Sequence, residues 1–577
     1  MTAKGAVSNL KRQSFSLCKI TKGRHLQKCR PSVYNLGVKQ NNIPLNYTEY
    51  GTGYQLCLPI NQEIQIPADD PVRLLSAVVE RMDLSALYST YSEEGRNQYS
   101  PSVLLKICIL GYSRKAISSR AIEQACRENI KYMYLLNGEN PPDHNTIARF
   151  RSKHLAECQD QILAEMTRVL MDMGEVSFAE SAVFIDGTKI ESVGNKYKFV
   201  WKKSAEKNLN RLQDTMRKEL PDMLKSLGLK PRAGDVIKAK HLKKARKQIC
   251  ALMEKEGIQK VSGTGKRQSL HQKTLKKIED WIGRIERYTS QIYLCGDRSS
   301  YCKTDTEATF MRMKEDHMLN GQLKPGYNVN VATVSEYIVG TYVSSDRTDT
   351  KTTIPFMEKL MKSYTAIERV VYDSGYESEE NYRFFDEHPS LDLYVKPANH
   401  EQKKKKKYRT DISRRENMDY NEKDDTYTCA EGKVLIKTGT RKSKTSTGYV
   451  SEKTIYECSA CKGCPRKAEC IRSKSKTPLE ERSKRIEVAK YFNEKRDSME
   501  SKIMTGEGKQ LRMNRSIQAE GVFAYVKTDL SFRRFLTKGI KKVGAEWTLL
   551  AMAYNILRMH HKGQNGRLGT HLYSLAA

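Results

Sequence analysis

The chain has 577 residues, 38% of them hydrophobic and 8% aromatic, so it can bury several cores and is too long for one ordinary domain. Lysine and arginine number 101 against 68 acidic residues, and the resulting +33 predicts a polyanionic partner, nucleic acid first, bound with a steep dependence on salt. No run of about 18 apolar residues occurs, which excludes a membrane span, and fourteen cysteines without a secretory leader predict reduced thiols or metal ligands in a cytoplasmic, nucleoid-facing protein.

Residues 1–45 are basic and lack an apolar period, so they read as a flexible tail or an upstream extension, with order starting near Tyr54. From Asp70 to about Leu170 apolar residues recur at three-to-four spacing, as in Val72, Leu75, Val78 and Val79, and again in Leu104, Ile107, Leu110 and Ile117. Short helices are expected at Ser119–Glu128 and Thr146–His154, the latter after the turn-like Asn140-Pro141-Pro142-Asp143 with Asn145 as N-cap. Arg149, Arg151 and Lys153 fall on that helix, which makes a helix-turn-helix-like DNA reader the functional reading, with a plain bundle bearing a solvated basic face as the alternative.

Ala182–Ile185 is a short apolar run that predicts a buried strand ending at Asp186, with Gly187-Thr188 as a turn. Residues 202–295 are charged and helical, with apolar stripes at Leu209, Leu212, Met216 and Leu220 and at Leu275, Ile278, Ile282 and Ile285. Breaks are expected at Pro221, at 228–234 and at 263–265. Strand signals return at Asn328–Val334, Ile338–Val343, Arg369–Tyr372 and Leu391–Val395, and strands alternating with helices indicate an α/β core carrying insertions. Lys403–Lys407 reads as a solvated linker or a phosphate-contacting loop. Residues 411–484 are polar and cysteine-bearing, and Val488–Met559 is helical again.

Phosphodiester chemistry on DNA needs charge and alignment, which divalent ions held by a few converging carboxylates supply. Asp186 and Asp373 each follow an apolar strand, and Glu520 lies on a predicted helix with Lys527 seven residues further along the same face. Arg515 is a second candidate for a phosphate. Among 68 acidic residues this pattern alone has little specificity.

The motifs Phe184-Ile185-Asp186-Gly187-Thr188-Lys189, Val371-Tyr372-Asp373-Ser374-Gly375-Tyr376 and Ala519-Glu520-Gly521-Val522-Phe523, with Tyr554-Asn555, resemble bacterial insertion-sequence transposases of the DDE superfamily, most closely the IS1182 family. Further matches are Lys196-Tyr197 with Phe199-Val200-Trp201, Phe310–Lys314 and Pro325–Asn328, and the Tyr99–Arg151 region resembles the N-terminal domain shared with the IS5 group. The resemblance spans roughly residues 45–560. It implies an RNase H-like α/β core with a mixed sheet, and Asp186, Asp373 and Glu520 as ligands of two Mg²⁺ (or Mn²⁺) ions per active site. It also implies that Arg515 and Lys527 flank the glutamate as phosphate contacts. Arg149 and Arg151, on the basic helix of the N-terminal region, are the residues expected to bind DNA and read bases. Glu546 is the competing third carboxylate. Asp346 and Asp349 read as solvated loop acids, with a supporting role at the site as the alternative.

Cys458, Cys461, Cys464 and Cys470 fall within 13 residues, with Cys429 upstream, in a segment too polar to fold on apolar contacts. Structural zinc is the expectation, with an iron–sulfur cluster or free thiols as alternatives.

The resulting plan is a basic tail (1–45), a helical DNA-binding domain (46–170), a core in three pieces (171–201, 297–400, 485–560), a helical coiled insertion (202–296), a Cys-rich insertion (401–484) and a C-terminal tail (561–577). The expected reaction is metal-dependent cleavage at element ends and strand transfer into target DNA, by a homodimer acting on double-stranded DNA. A nuclease lacking strand transfer and a non-catalytic DNA-binding derivative are the alternatives.

Overall fold

The computed structural model describes residues 65–92, 98–230, 235–261, 267–313, 321–472, 475 and 477–570. The expected basic tail, the onset of order near Tyr54, Lys314, the break at 263–265 and the last seven residues lie outside them.

Helix α1 (Pro71–Arg81) starts where its sequence says: Asp70 accepts from the Val72 amide at 3.0 Å, Pro71 fills the first turn, and Val72, Leu75, Val78 and Val79 are buried. It is followed by α2 (Pro101–Ser113), α3 (Ser119–Glu128), α4 (Ile130–Leu136), α5 (His144–Arg149) and α6 (Ala156–Asp172). The N-cap of α5 is Asp143, which accepts from the Thr146 amide at 2.8 Å, and Asn145 already lies inside the helix. A π-helical turn, Phe150–Leu155, joins α5 to α6, so the expected short helix is the head of a longer helical run.

The central sheet contains β1 (Val183–Glu191), β4 (Thr309–Arg312), β5 (Leu323–Val334), β6 (Tyr337–Ser344), β7 (Arg369–Tyr372) and β8 (Asp392–Val395). β1 pairs antiparallel with β5 and parallel with β7, β7 pairs parallel with β8, and β6 and β4 share the far edge of β5. Read through β6–β5–β1–β7–β8, three antiparallel strands are followed by two parallel ones. This is an RNase H-like arrangement. Crossovers carry α10 (Thr353–Ser363) between β6 and β7 and α11 (Glu379–Asp386) between β7 and β8.

The strand expected to end at Asp186 does not end there. β1 continues through Glu191, because β5 offers partners in register from Phe184 opposite Thr333 to Glu191 opposite Gly326. With β5 along one edge, the polar stretch Asp186–Lys189 makes its backbone bonds as sheet rather than as a turn, while β7 pairs with β1 only as far as Ile185.

Helix α14 (Ile540–Gln564) is buried almost all round and packs against β6, α2 and α6, so the N-terminal helices and the sheet share one apolar core. Asn555 docks it, accepting from the Ile338 amide and donating to the Ile338 carbonyl, both at 2.8 Å, which satisfies the edge of β6.

Between β1 and the rest of the sheet, the strands β2 (Phe199–Trp201) and β3 (Ser300–Cys302) pair and close the base of a three-helix insertion. Its helices α7 (Lys202–Lys225), α8 (Ala239–Lys255) and α9 (Leu270–Cys295) bury Leu212, Met216, Ile249, Ile278 and Trp281 in a core of their own. Pro221 does not break α7. Leu212, Met216 and Leu224 pack on both sides of it and carry the helix through a residue that costs about 3 kcal/mol.

The Cys-rich insertion and the first residues after it form a five-stranded antiparallel sheet: β9 (Asp419–Asn421), β10 (Thr426–Thr428), β11 (Val434–Lys444), β12 (Val450–Glu457) and β13 (Arg485–Val488). Most of β11 is exposed, so its sequence carries no apolar alternation by which to see it. Then α12 (Lys490–Met504) turns into α13 (Gly506–Arg515), at a corner where Gly508 lies so close to the Ile503 backbone that a side chain would collide. Among the described residues no helix is long and apolar enough to cross a membrane.

Candidate active site

Asp186 and Asp373 are brought side by side by register: Ile185 is opposite Tyr372 in the parallel pair β1–β7, and each aspartate is the next residue. α13 opens into a π-helical stretch, Ser516–Glu520, continues through Gly521–Ala524 and ends in a second π stretch, Tyr525–Asp529. Positions i and i+5 point about 140° apart on a regular α-helix, and the wider π turn narrows that separation. Arg515 thus reaches Glu520, with Nη2 2.8 Å from Oε1.

The same guanidinium lies 3.4 Å from Asp186 and 3.9 Å from Asp373. One half-buried cation therefore lies within 3.9 Å of all three carboxylates, and the three converge on one point. Asp186 is buried, whereas Asp373 and especially Glu520 face solvent. Lys527 lies further along the helical run, its Nζ donating to Thr188 Oγ1 at 2.7 Å, two residues from Asp186 and hence on the same strand face.

Around this point sit further polar groups. A Cβ on Gly187 would come within 2.7 Å of the Tyr376 hydroxyl, 2.9 Å of Asn330 Oδ1 and 3.1 Å of Asp349 Oδ1, so only glycine fits there. Asp349 accepts from Asn328 Nδ2 at 2.6 Å, and it also lies against Gly375. It is thus a fourth carboxylate beside the triad, and of the two readings of this acid the supporting one fits its position. Tyr376 donates to Asn330 Oδ1 at 2.6 Å; burial, then the charges of Asp349 and Asp186, push its hydroxyl far above the ordinary range. Asn328 and Asn330 were detectable as alternate polar residues in an otherwise apolar strand. In the sequence Tyr376 is marked only as the last residue of the Val371–Tyr376 motif, which gives it no role.

Glu546 lies elsewhere. It is buried on α14 and accepts from the Leu536 and Thr537 amides at 3.0 and 3.1 Å and from the Thr537 hydroxyl at 2.8 Å. Burial raises its pKa despite those donors. It organises a loop and has no part in the carboxylate cluster.

Arg149 and Lys153 are exposed. Arg151, expected to bind DNA, is instead only 6% exposed and bonds internally to the Tyr112 hydroxyl (3.2 Å), the Ile117 carbonyl (2.7 Å) and Ser119 Oγ (2.5 Å). Its two Nη groups tie α2 to α3.

Cys429, Cys458, Cys461, Cys464 and Cys470 all line one small cavity of about 20 Å³ at the end of the β9–β13 sheet. The Lys484 amide points at Cys461 Sγ, 3.3 Å away, and burial pushes the Cys458 thiol up to about 11. The donor chemistry suits zinc and the cavity has room for an ion. As arranged, no group of three or more His, Cys, Asp or Glu among the described residues stands at metal-binding distances, the cysteines and the triad included.

Two family models match the chain. One described as a transposase domain covers residues 60–153, and one described as a transposase DDE domain covers residues 428–560, a span that includes the cysteines, Arg515, Glu520 and Lys527. No curated protein and no solved structure matches. A helical region that matches a transposase domain leads into an RNase H-like sheet, and a region that matches a transposase DDE domain closes it; together the two matches support an insertion-sequence DDE transposase.

Proposed function

We propose that this transposase cuts DNA at the ends of its element and joins the freed 3′ ends to target DNA, with Asp186, Asp373 and Glu520 as the metal-binding catalytic residues. The observation that carries this is the convergence of three carboxylates, from two adjacent parallel strands and one helix, on a single guanidinium. Hard carboxylate oxygens suit Mg²⁺ or Mn²⁺, and two such ions, when bound, supply charge to the attacking and leaving oxygens of a phosphodiester. Arg515 holds the carboxylates together against their mutual repulsion, and it is placed to hold a phosphate once cations take over that charge. Lys527, seated on Thr188, offers a second positive contact to the backbone. Asp349 and Asn328 brace the floor beneath Asp186. Exposed Arg149 and Lys153 contact phosphates or bases from the N-terminal helices.

The order of motifs fits the IS1182 family. Joining two ends calls for a homodimer, and the α7–α9 insertion offers a self-contained element for it. A structural zinc ion bound by four of the five clustered cysteines would pin the β9–β13 sheet. The place of action is the cytoplasmic nucleoid.

The test is Mg²⁺-dependent cutting and joining of DNA carrying the element's ends, comparing the natural chain with Asp186→Ala, Asp373→Ala and Glu520→Ala. Expected are cut and joined products from the natural chain, and DNA binding without cutting from all three variants. Binding without cutting by the natural chain, or cutting by Glu520→Ala but not by Glu546→Ala, overturns the assignment. Cut but never joined products leave a nuclease.

A further inference from the structure

Just beyond β1 the sequence interleaves cations and rings: Lys196-Tyr197-Lys198-Phe199-Val200-Trp201-Lys202-Lys203. Large rings are normally buried, yet Tyr197 is 72% and Phe199 49% exposed, and Lys196 and Lys198 stand in solvent beside them. Lys196 Nζ lies 5.1 Å from the Tyr197 ring centroid, so charge and ring form one surface. Phe199 is backed by Phe310 and Trp201, with centroids 5.9 and 6.3 Å away. A cavity of about 500 Å³ opens here, lined by Glu191, Gly194, Lys196, Tyr197, Lys324 and Arg534 among others.

The segment is held in relation to the carboxylates. The helical run bearing Glu520 and Lys527 leads to Arg534, whose guanidinium donates to the carbonyls of Ser192 (3.0 Å) and Val193 (2.8 Å). The Glu191 amide donates to the Arg533 carbonyl at 3.3 Å, and the Phe535 amide donates to the Glu191 carbonyl at 2.9 Å. On the far side, Phe199 and Val200 are fixed opposite Cys302 and Tyr301. Glu191 is five residues along β1 from Asp186, roughly 17 Å at about 3.3 Å per residue, or about five stacked nucleotides at 3.4 Å each.

We propose that Tyr197 and Phe199, flanked by Lys196 and Lys198, form a stacking platform for unpaired DNA bases a few nucleotides from the scissile phosphate. Every base has a π-face, so such a platform takes unpaired strand of any sequence, while the lysines follow its backbone. An apolar protein partner would have to desolvate both lysines, whereas a nucleic-acid strand neutralises them. This rests on the transposase reading of the carboxylate site, and it adds the form of DNA that the site takes.

The test uses the full chain and two probes: a blunt 20-base-pair duplex, and the same duplex with a five-nucleotide unpaired tail containing 2-aminopurine. The natural chain is expected to bind the tailed probe about tenfold or more tightly than the blunt one, with quenched 2-aminopurine emission. Tyr197→Ala with Phe199→Ala brings the two affinities within about twofold and abolishes the quenching, leaving blunt-duplex binding unchanged. Tyr197→Trp restores both. Because Phe199 packs on Phe310, folding of the double variant is checked by its melting temperature, and the single Tyr197→Ala variant, at an exposed side chain, stands in if it has dropped. The platform is overturned if the double variant keeps the preference, or if the natural chain shows none while still cutting DNA in Mg²⁺. If the natural chain binds neither probe and cuts nothing, the underlying reading falls with it.

Discussion

Replacing Glu546 by alanine removes a carboxylate that three donors share, namely the Leu536 and Thr537 amides and the Thr537 hydroxyl. Hydrogen bonds to a charged group contribute about 1.5–3 kcal/mol each, and part of that returns because a buried charge no longer has to be desolvated. The hydroxyl can turn to another acceptor and the amides are part-buried, so the net loss is about 3 kcal/mol. At about 2–4 °C per kcal/mol for a unit the size of the catalytic core, the melting temperature falls by roughly 6–12 °C. Glu520 is the contrasting case. Its side chain is 55% exposed and paired with Arg515, so Glu520→Ala costs at most about 1 kcal/mol while abolishing cutting. Differential scanning fluorimetry of both variants, alongside the cleavage assay, separates a structural acid from a catalytic one. Glu546→Gln, which keeps an acceptor oxygen, should recover most of the lost stability. If Glu546→Ala melts like the natural chain and Glu520→Ala melts early, the division between the two glutamates is wrong.

Arg151→Ala, by orphaning the Ile117 carbonyl and the Tyr112 hydroxyl, should lower the melting temperature, whereas Arg149→Ala should leave it unchanged and reduce the slope of log binding constant against log salt by about 1 in a DNA titration. Burial alone would raise Glu175, but hydrogen bonds from Lys562 (2.6 Å), Tyr337 (2.7 Å) and the Gly569 amide (2.6 Å) outweigh it and hold the carboxyl below its ordinary 4.5. Its folded form therefore binds a proton less readily than its unfolded form. The stability it contributes is complete above pH 4.5 and is lost as pH falls through the folded value, so acid titration by circular dichroism should show a shallower acid limb for Glu175→Gln. The purified chain should carry about one zinc per polypeptide, released on thiol modification, and Cys458→Ser should lose both the metal and the protease resistance of residues 419–488. Full resistance in a metal-free preparation counts against zinc.

The sequence determined the elements whose apolar pattern is local. The spacing of Val72, Leu75, Val78 and Val79 marks α1, the run Arg369–Tyr372 marks β7 exactly, and the stripes of α7 and α9 mark the insertion, because burial of one face imposes the period of each element. Motif order around Asp186, Asp373 and Glu520 named the candidate triad without any geometry. What only the tertiary structure decided depends on partners distant in sequence. β1 outruns its apolar residues because β5 supplies a ladder opposite Asp186–Glu191. Arg151 looks like a DNA contact until Tyr112 and Ile117 are seen to claim its donors, and Glu546 looks like a third ligand until Leu536 and Thr537 do the same. Asp349 reaches the carboxylates only because β5, β6 and β7 bring its loop back beside Gly187 and Gly375. A charged side chain's role is set by which groups compensate it, and those groups are assembled by folding rather than written beside it in the chain.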